Sequence, residues 1–227
     1  MNEIADGVWQ LPLVPRDGIN AYLIGDVLVD TGLKQSGGKI ARMLGGRTIS
    51  AIALTHAHGD HAGAMKRLAE QFGVPVWCGA ADRAATETGR LVLSSTVKRL
   101  RLGGLVNAAV GFDGVAVART LAEGDALTAG FVVLDTPGHS PGHVAFWREA
   151  DRTLICGDVF FNLRVPAPIP GLRQPPDLLT PDPARNRVSE RKVSDLAPAI
   201  VGFGHGPVLR DDAARKLSDF VKKLSPS

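Results

Sequence analysis

The chain of 227 residues has no uninterrupted apolar run long enough to cross a bilayer, so no spanning helix and no membrane partner are expected. Its start, MNEIADGVWQLP, places two acids in the first six residues and has no basic-then-apolar lead, so a secretory signal is not expected. Two cysteines, Cys78 and Cys156, are too few for a disulfide framework and make the cytoplasm the default compartment. Aromatic residues are scarce at 5%, with a single tyrosine, and the densest basic stretch is only Lys98, Arg99 and Arg101. A nucleic-acid surface needs a basic stripe interleaved with stacking rings, so nucleic acid is excluded as an expected partner. The formal charge of +3 reads as a solvated surface.

What is present is a globular composition, 44% hydrophobic and 22% charged. Such a chain buries enough apolar surface to offset chain entropy. Its length predicts one domain over residues 1–227. Apolar runs at Val8–Leu11, Ile19–Ile24 and Val27–Val29 predict a strand meander. Helical patterns follow at Gln35–Leu44, His61–Phe72 and Ala80–Thr88, the last two closed by Gly73 and Gly89. Ile49–Leu54, Val74–Trp77, Val115–Ala118, Phe131–Leu134, Val144–Trp147, Thr153–Cys156 and Ala199–Phe203 read as strands. Asp182–Leu196 and Asp211–Leu224 read as helices, and the whole as a mixed α/β layer structure. Residues 162–183 hold seven of the 15 prolines and read as an irregular functional loop.

The ends of the apolar runs carry the chemistry. VLV stops at Asp30, AIAL runs into THAHGDH, VVLD into TPGH, LICG stops at Asp158, and AIVGFG at His205. All 6 histidines lie at or just beyond such ends, where a mixed sheet gathers functional groups. The dense cluster is His56, His58, Asp60 and His61. In an extended segment His56 and His58 face the same way and can reach one ion. A turn at Gly59 carries Asp60 and His61 to the other side. Imidazole and carboxylate donors suit zinc, manganese or iron.

Two other motifs fail on chemistry. Gly138-His139-Ser140-Pro141-Gly142 matches a nucleophile elbow, with Asp158 and His205 following in triad order. That elbow needs a backbone N–H after the serine, and Pro141 has none. Ser140 is therefore expected to be dispensable for turnover. Gly32–Lys39 looks like a phosphate loop, but its glycine spacing and the residue after Lys39 exclude a Walker A.

VLVDTG at 27–32, THAHGDHAG at 55–63, TPGHSPGH at 136–143, CGDVFF at 156–161 and GFGHG at 202–206 together resemble the metallo-β-lactamase-fold hydrolases over nearly the whole chain. The resemblance implies an αβ/βα four-layer sandwich of two mixed β-sheets flanked by helices, with a two-metal site at one edge. It assigns His56, His58 and His139 to one metal and Asp60, His61 and His205 to the other, with Asp158 bridging. Asp30 would orient the ligand loop without binding metal. Two zinc ions are the implied cofactors, with iron or manganese as alternatives.

His143 lies four residues past His139, but Pro141 and Gly142 prevent a helix that would stack the two, so it reads as a support for the ligands. Cys156 reads as a small buried apolar residue. Acyl-homoserine lactonases of this fold carry a catalytic tyrosine where Phe161 stands, and the only tyrosine here is Tyr22. Glyoxalase II resembles a longer chain with an added helical region. Flavodiiron proteins have glutamate in place of His58, and nucleases of the fold need further motifs.

The implied reaction is attack by a hydroxide held between the metals on the carbonyl of an ester, thioester or lactone. Asp60 is the catalytic candidate for orienting it or moving its proton. The expected partner is a small-molecule substrate, and nothing in the pattern sets an oligomeric state. Phe160, Phe161 and Leu163 would offer it apolar contact, and Arg164 and Arg173 would meet an anionic group. The alternatives are a mononuclear iron persulfide dioxygenase, β-lactam hydrolysis as main or side activity, and a non-catalytic binding module. The last expects eroded ligands, which this chain does not show.

Overall fold

A computed structural model describes residues 1–92, 111–164 and 169–224. The first sheet runs in chain order through β1 (Asn2–Ala5), β2 (Val8–Pro12), β3 (Asn20–Ile24), β4 (Val27–Val29), β5 (Ala51–Ala53), β6 (Val76–Gly79) and β7 (Val117–Leu121). Strands β1 to β4 pair antiparallel, and β4 to β7 pair parallel. The second sheet contains β8 (Val132–Asp135), β9 (Val144–Arg148), β10 (Thr153–Ile155) and β13 (Ile200–Gly202), in the order β13-β10-β9-β8. A separate hairpin pairs β11 (Phe161–Arg164) with β12 (Ile169–Arg173). The helices are α1 (Gly37–Leu44), α2 (Met65–Phe72), α3 (Arg83–Thr88), α4 (Pro183–Asp195) and α5 (Ala213–Leu224).

The layering follows from the period-2 alternation of strand side chains. Leu23, Leu28 and Ile52 point outward onto Ile40 and Leu44 of α1 and Met65 and Leu68 of α2. Their neighbours Tyr22, Ile24, Val27, Val29, Ala51 and Ala53 point inward onto Phe131, Val133, Phe146 and Ile155. The next residues along the second sheet, Leu134, Ala145, Trp147 and Leu154, face Val193 of α4 and Leu217 of α5. Both faces of each sheet are therefore covered, which is why these strands read as continuous apolar runs. The result is two mixed sheets face to face with helices outside.

Differences from the sequence expectation have local causes. Strand β1 pairs with β2 although its sequence, NEIA, shows little apolar pattern. Helix α2 begins at Met65, not His61. The preceding backbone is spent elsewhere: Thr31 N–H donates to His61 O, and Gly63 N–H to Gly32 O. Its expected end holds, with Gly73 at φ 65° closing α2, and Gly89 at φ 69° closes α3. The expected loop over 162–183 is corrected most. It contains most of the β11–β12 hairpin and a short 3-10 turn at Asp177–Leu179. Pro170 pairs opposite Leu163 in this two-stranded ribbon, where every strand has a free edge and a missing N–H is tolerated. Pro166, Pro168 and the basic stretch at Lys98, Arg99 and Arg101 lie outside the described residues.

Candidate metal centre

The loops leaving the C-terminal ends of β4, β5, β8, β10 and β13 meet at one edge of the two sheets. They carry Asp30, His56 to His61, His139 to His143, Asp158 and His205 respectively. Backbone bonds lock them to each other: Val144 N–H donates to Thr55 O at 2.8 Å, and Gly204 N–H to Gly157 O at 3.0 Å. Gly204 is required by space alone, since a Cβ there would collide with the Asp158 carboxylate and the His61 ring.

Among the described residues, three overlapping groups have the donor set of a metal site: His56, His58 and His139; Asp60, His61 and His205; and His56, His61 and Asp158. Asp158 Oδ2 sits at the centre. It lies 3.3 Å from His139 Nε2, 3.3 Å from His205 Nε2, 3.4 Å from His61 Nε2 and 3.8 Å from His56 Nε2.

The outer hydrogen bonds set which ring nitrogen faces inward. Thr55 Oγ1 donates to Asp30 Oδ2 at 2.7 Å, so it accepts from His56 Nδ1 at 3.0 Å. Thr180 Oγ1 donates to Pro176 O at 2.9 Å, so it accepts from His139 Nδ1 at 3.1 Å. His61 Nδ1 donates to Asp30 Oδ2 at 2.8 Å, and His205 Nδ1 to Gly18 O at 2.7 Å. All four rings thus turn Nε2 toward Asp158. His56 Nε2, His139 Nε2 and Asp158 Oδ1 are buried without a hydrogen-bond partner. Buried acceptors are costly when unpaired. A cation is what such converging lone pairs fit.

His143 is placed differently. Its Nε2 accepts from Asp158 N–H at 3.1 Å and its Nδ1 meets Thr136 Oγ1 at 2.7 Å, so both nitrogens are used. Asp30 likewise stays outside the cluster, accepting from Thr55 N–H and Oγ1 as well as His61. Cys156 is buried in the core with its thiol pKa pushed up by that burial, and belongs to none of the donor groups. Ser140 gains a role unlike a nucleophile: its hydroxyl donates to Asp82 Oδ2 at 2.6 Å.

The two sides of the cluster differ in charge. Burial lowers the pKa of His56, and lowers that of His58 to about 3. Burial also opposes protonation of His205, but Asp158 and Asp60 outweigh it and push its pKa up to about 10. His61 is raised in the same way by Asp158, Asp30 and Asp60 against the effect of burial. Burial would raise the Asp158 carboxyl, yet His205 and His61 hold it well below the carboxylate range. His56 and His58 are thus neutral, while His61 and His205 hold protons that metal binding would displace.

The metal-ligand candidates open into a cavity of about 260 Å³ lined by His58, Asp60, His139, Asp158, His205, Gly18, Phe161, Leu163, Pro176 and Leu179. The Phe161 ring lies 4.3 Å from that of His205. Phe160 is fully buried in the core instead. Arg164 and Arg173 do not line this cavity. They border a separate groove with Leu172, Gln174, Phe220 and Leu224, a correction to their expected place. Thr180 and Asp82 were not among the residues singled out in the sequence. Neither belongs to a histidine motif, and Thr180 stands forty-one positions from His139.

Known proteins agree with this geometry. The profile described as "Metallo-beta-lactamase superfamily" matches residues 14–205. The chain belongs to that superfamily. It is 28% identical over 218 residues to the probable metallo-hydrolase YflN of Bacillus subtilis (strain 168), covering 88% of this chain and 82% of that protein. The hydroxyacylglutathione hydrolase GloC of Haemophilus influenzae (strain ATCC 51907 / DSM 11121 / KW20 / Rd) is 28% identical over 152 residues, 63% of this chain and 67% of its own. The crystal structure of TTHA1623 in a di-iron-bound form superposes with TM-score 0.64 at 30% identity, covering 92% of this chain and 98% of that one. The protein is a metallo-hydrolase of the superfamily, and its buried His/Asp groups are typical of a dinuclear metal site.

Proposed function

We propose that the protein hydrolyses an ester, thioester or lactone at a dinuclear zinc site. His56, His58 and His139 would hold one cation, Asp60, His61 and His205 the other, and Asp158 would contact both. The observation that carries the reading is the common inward turn of four Nε2 atoms onto one buried carboxylate. Bound there, two divalent cations lower the pKa of water toward 7 and polarise a substrate carbonyl.

The chain's own groups do the rest. Thr55, Thr180, Asp30 and Gly18 hold each imidazole in the tautomer that points a lone pair inward. His143 fixes the Asp158 backbone. Asp60 is only half-buried, its Oδ2 3.3 Å from His205 Nε2, and it borders the cavity. We read it as the group that orients the attacking water or moves its proton. Phe161, Leu163, Pro176 and Leu179 form the apolar wall that excludes water beside the reacting carbonyl.

The thioester member of this set draws support from GloC, and iron as the resident metal draws support from the di-iron structure of TTHA1623. We also read residues 1–227 as one hydrolase domain acting on a small molecule in the cytoplasm. Both cysteines are buried and unpaired, which suits a reducing compartment. Elemental analysis of metal-replete protein, then an ester, thioester, lactone, β-lactam and phosphodiester panel on that holoenzyme, tests the reading. The expected result is two metals per chain and turnover confined to carbonyl substrates. One iron per chain with no second site fillable would overturn it in favour of the mononuclear dioxygenase.

A further inference from the structure

We propose that Asp82 is the positioning residue for the three-histidine side of the centre, a second buried aspartate beside Asp30. Asp82 ends the 3-10 turn that follows β6 and is fully buried. Its carboxylate reaches both loops that carry the three histidines. Oδ2 accepts from the N–H of Ala57, between His56 and His58, at 3.0 Å. The same oxygen accepts from Ser140 Oγ, next to His139, at 2.6 Å, and Oδ1 accepts from Gly142 N–H at 2.7 Å.

These two loops come from different sheets and are more than seventy residues apart in sequence. One buried side chain therefore sets their spacing, and with it the distance between His58 and His139, whose ring centroids lie 4.6 Å apart. Asp82 is itself held firmly. Thr86 Oγ1 donates to its carbonyl at 3.0 Å, and its backbone packs so closely on Gly142 that a Cβ there would collide with it. Asp30 makes no contact of this kind with the His139 loop; its bonds go to Thr55 and His61. Asp30 thus reaches His61 directly and His56 through Thr55, whereas Asp82 bonds only to the two loops of the three-histidine side, so the effect of losing Asp82 should be confined to that side.

This rests on the dinuclear reading above, and stepwise zinc affinities separate the two. Metal-free protein is titrated with zinc against a chromophoric chelator to give two dissociation constants. His58→Ala and His205→Ala identify which step belongs to which side. Asp82→Ala is expected to weaken the step that His58→Ala removes by about 10-fold, and the other step by no more than about twofold, the scale seen when outer support of metal ligands is lost. Asp82→Asn keeps one acceptor oxygen and should fall between wild type and Asp82→Ala. Ser140→Ala removes a single donor and should weaken the same step by about threefold, the size of one hydrogen bond, which keeps the test open even if the Asp82 variants fold poorly. Equal weakening of both steps, or no change in either for Ser140→Ala and Asp82→Asn, overturns the assignment. Wild-type protein that binds only one zinc overturns the dinuclear reading, and this inference with it.

Discussion

The floor and the wall of the cavity are built by different means. The floor is tied from both sheets by buried bonds to carboxylates: Asp30 holds Thr55 and His61, and Asp82 holds the loops of His58 and His139. Among the described residues, the wall, meaning the hairpin and the turn behind it, is tied mainly through backbone carbonyls: Asn162 N–H donates to His205 O. Asn162 donates to Pro207 O, Gln174 to the Glu190 carboxyl, and Thr180 bridges Pro176 to His139. A floor so constrained keeps its geometry whatever the substrate. A wall tied mainly through backbone carbonyls can change its apolar side chains without disturbing the donors, which is where specificity can vary.

Removing a central donor tests the floor most severely. Asp158→Ala takes away the carboxylate that lies within reach of all four of His56, His61, His139 and His205. Metal and turnover should be lost together, with kcat/KM down by at least about 10³-fold, as for residues acting in the transition state. Elemental analysis beside kinetics checks it; full metal content with that loss of rate would show that Asp158 does not hold metal.

Substitution in the wall should act on substrate and leave metal alone. Phe161→Ala opens the cavity beside His205 and should lower kcat/KM for an apolar acyl substrate by about 10-fold, the cost of a buried apolar contact of ~1–3 kcal/mol, with zinc affinity unchanged. Thr180→Val lies on the boundary. It removes the acceptor for His139 Nδ1, so zinc affinity should fall by about 10-fold even though residue 180 belongs to the wall segment. Unchanged affinity would mean that the tautomer of His139 is set by something other than Thr180.

Glu190 of α4 sharpens the contrast through pH. Burial is the largest influence on it and raises its pKa from 4.5 to about 7, partly offset by the donors Gln174 and Asn186. The folded state thus holds a proton that the unfolded state releases. The stability it confers is complete below about pH 4.5 and is lost as pH rises through 7, up to about 3 kcal/mol in all. Glu190→Gln should remove this dependence, so urea unfolding should find the variant gaining on wild type between pH 5 and pH 8. A difference that is the same at both pH values would refute it.

The donors could be read from sequence because each ends an apolar run, and a buried strand fixes where its last residue emerges. His56, Asp158 and His205 needed only that. The hairpin could not be read so, because Phe161–Arg164 and Ile169–Arg173 pair with each other alone and carry prolines that usually exclude strands. Asp82 and Thr180 were invisible for another reason. Their roles come from contacts 25 to 60 residues away in sequence, and an isolated Asp or Thr has no local pattern. The start of α2 was misplaced because His61 and Gly63 bond to the β4 loop, which periodicity does not report.

The smallest expected effect concerns the two arginines of the hairpin. Arg164 is exposed, its guanidinium packed over Gly171, and Arg173 shares the groove of Leu172, Gln174 and Phe220. Arg164 follows Leu163 along its strand and points to the opposite face, and Arg173, though paired across from Phe161, lines that groove and not the cavity. A charge in that groove lies outside the cavity and is screened by water. Arg164→Ala and Arg173→Ala should therefore leave kcat/KM within about twofold of wild type, the range of surface substitutions, for an anionic substrate and for its neutral analogue alike. A loss confined to the anionic substrate would show that the hairpin turns these arginines inward when substrate binds, and would make the wall a mobile part of recognition.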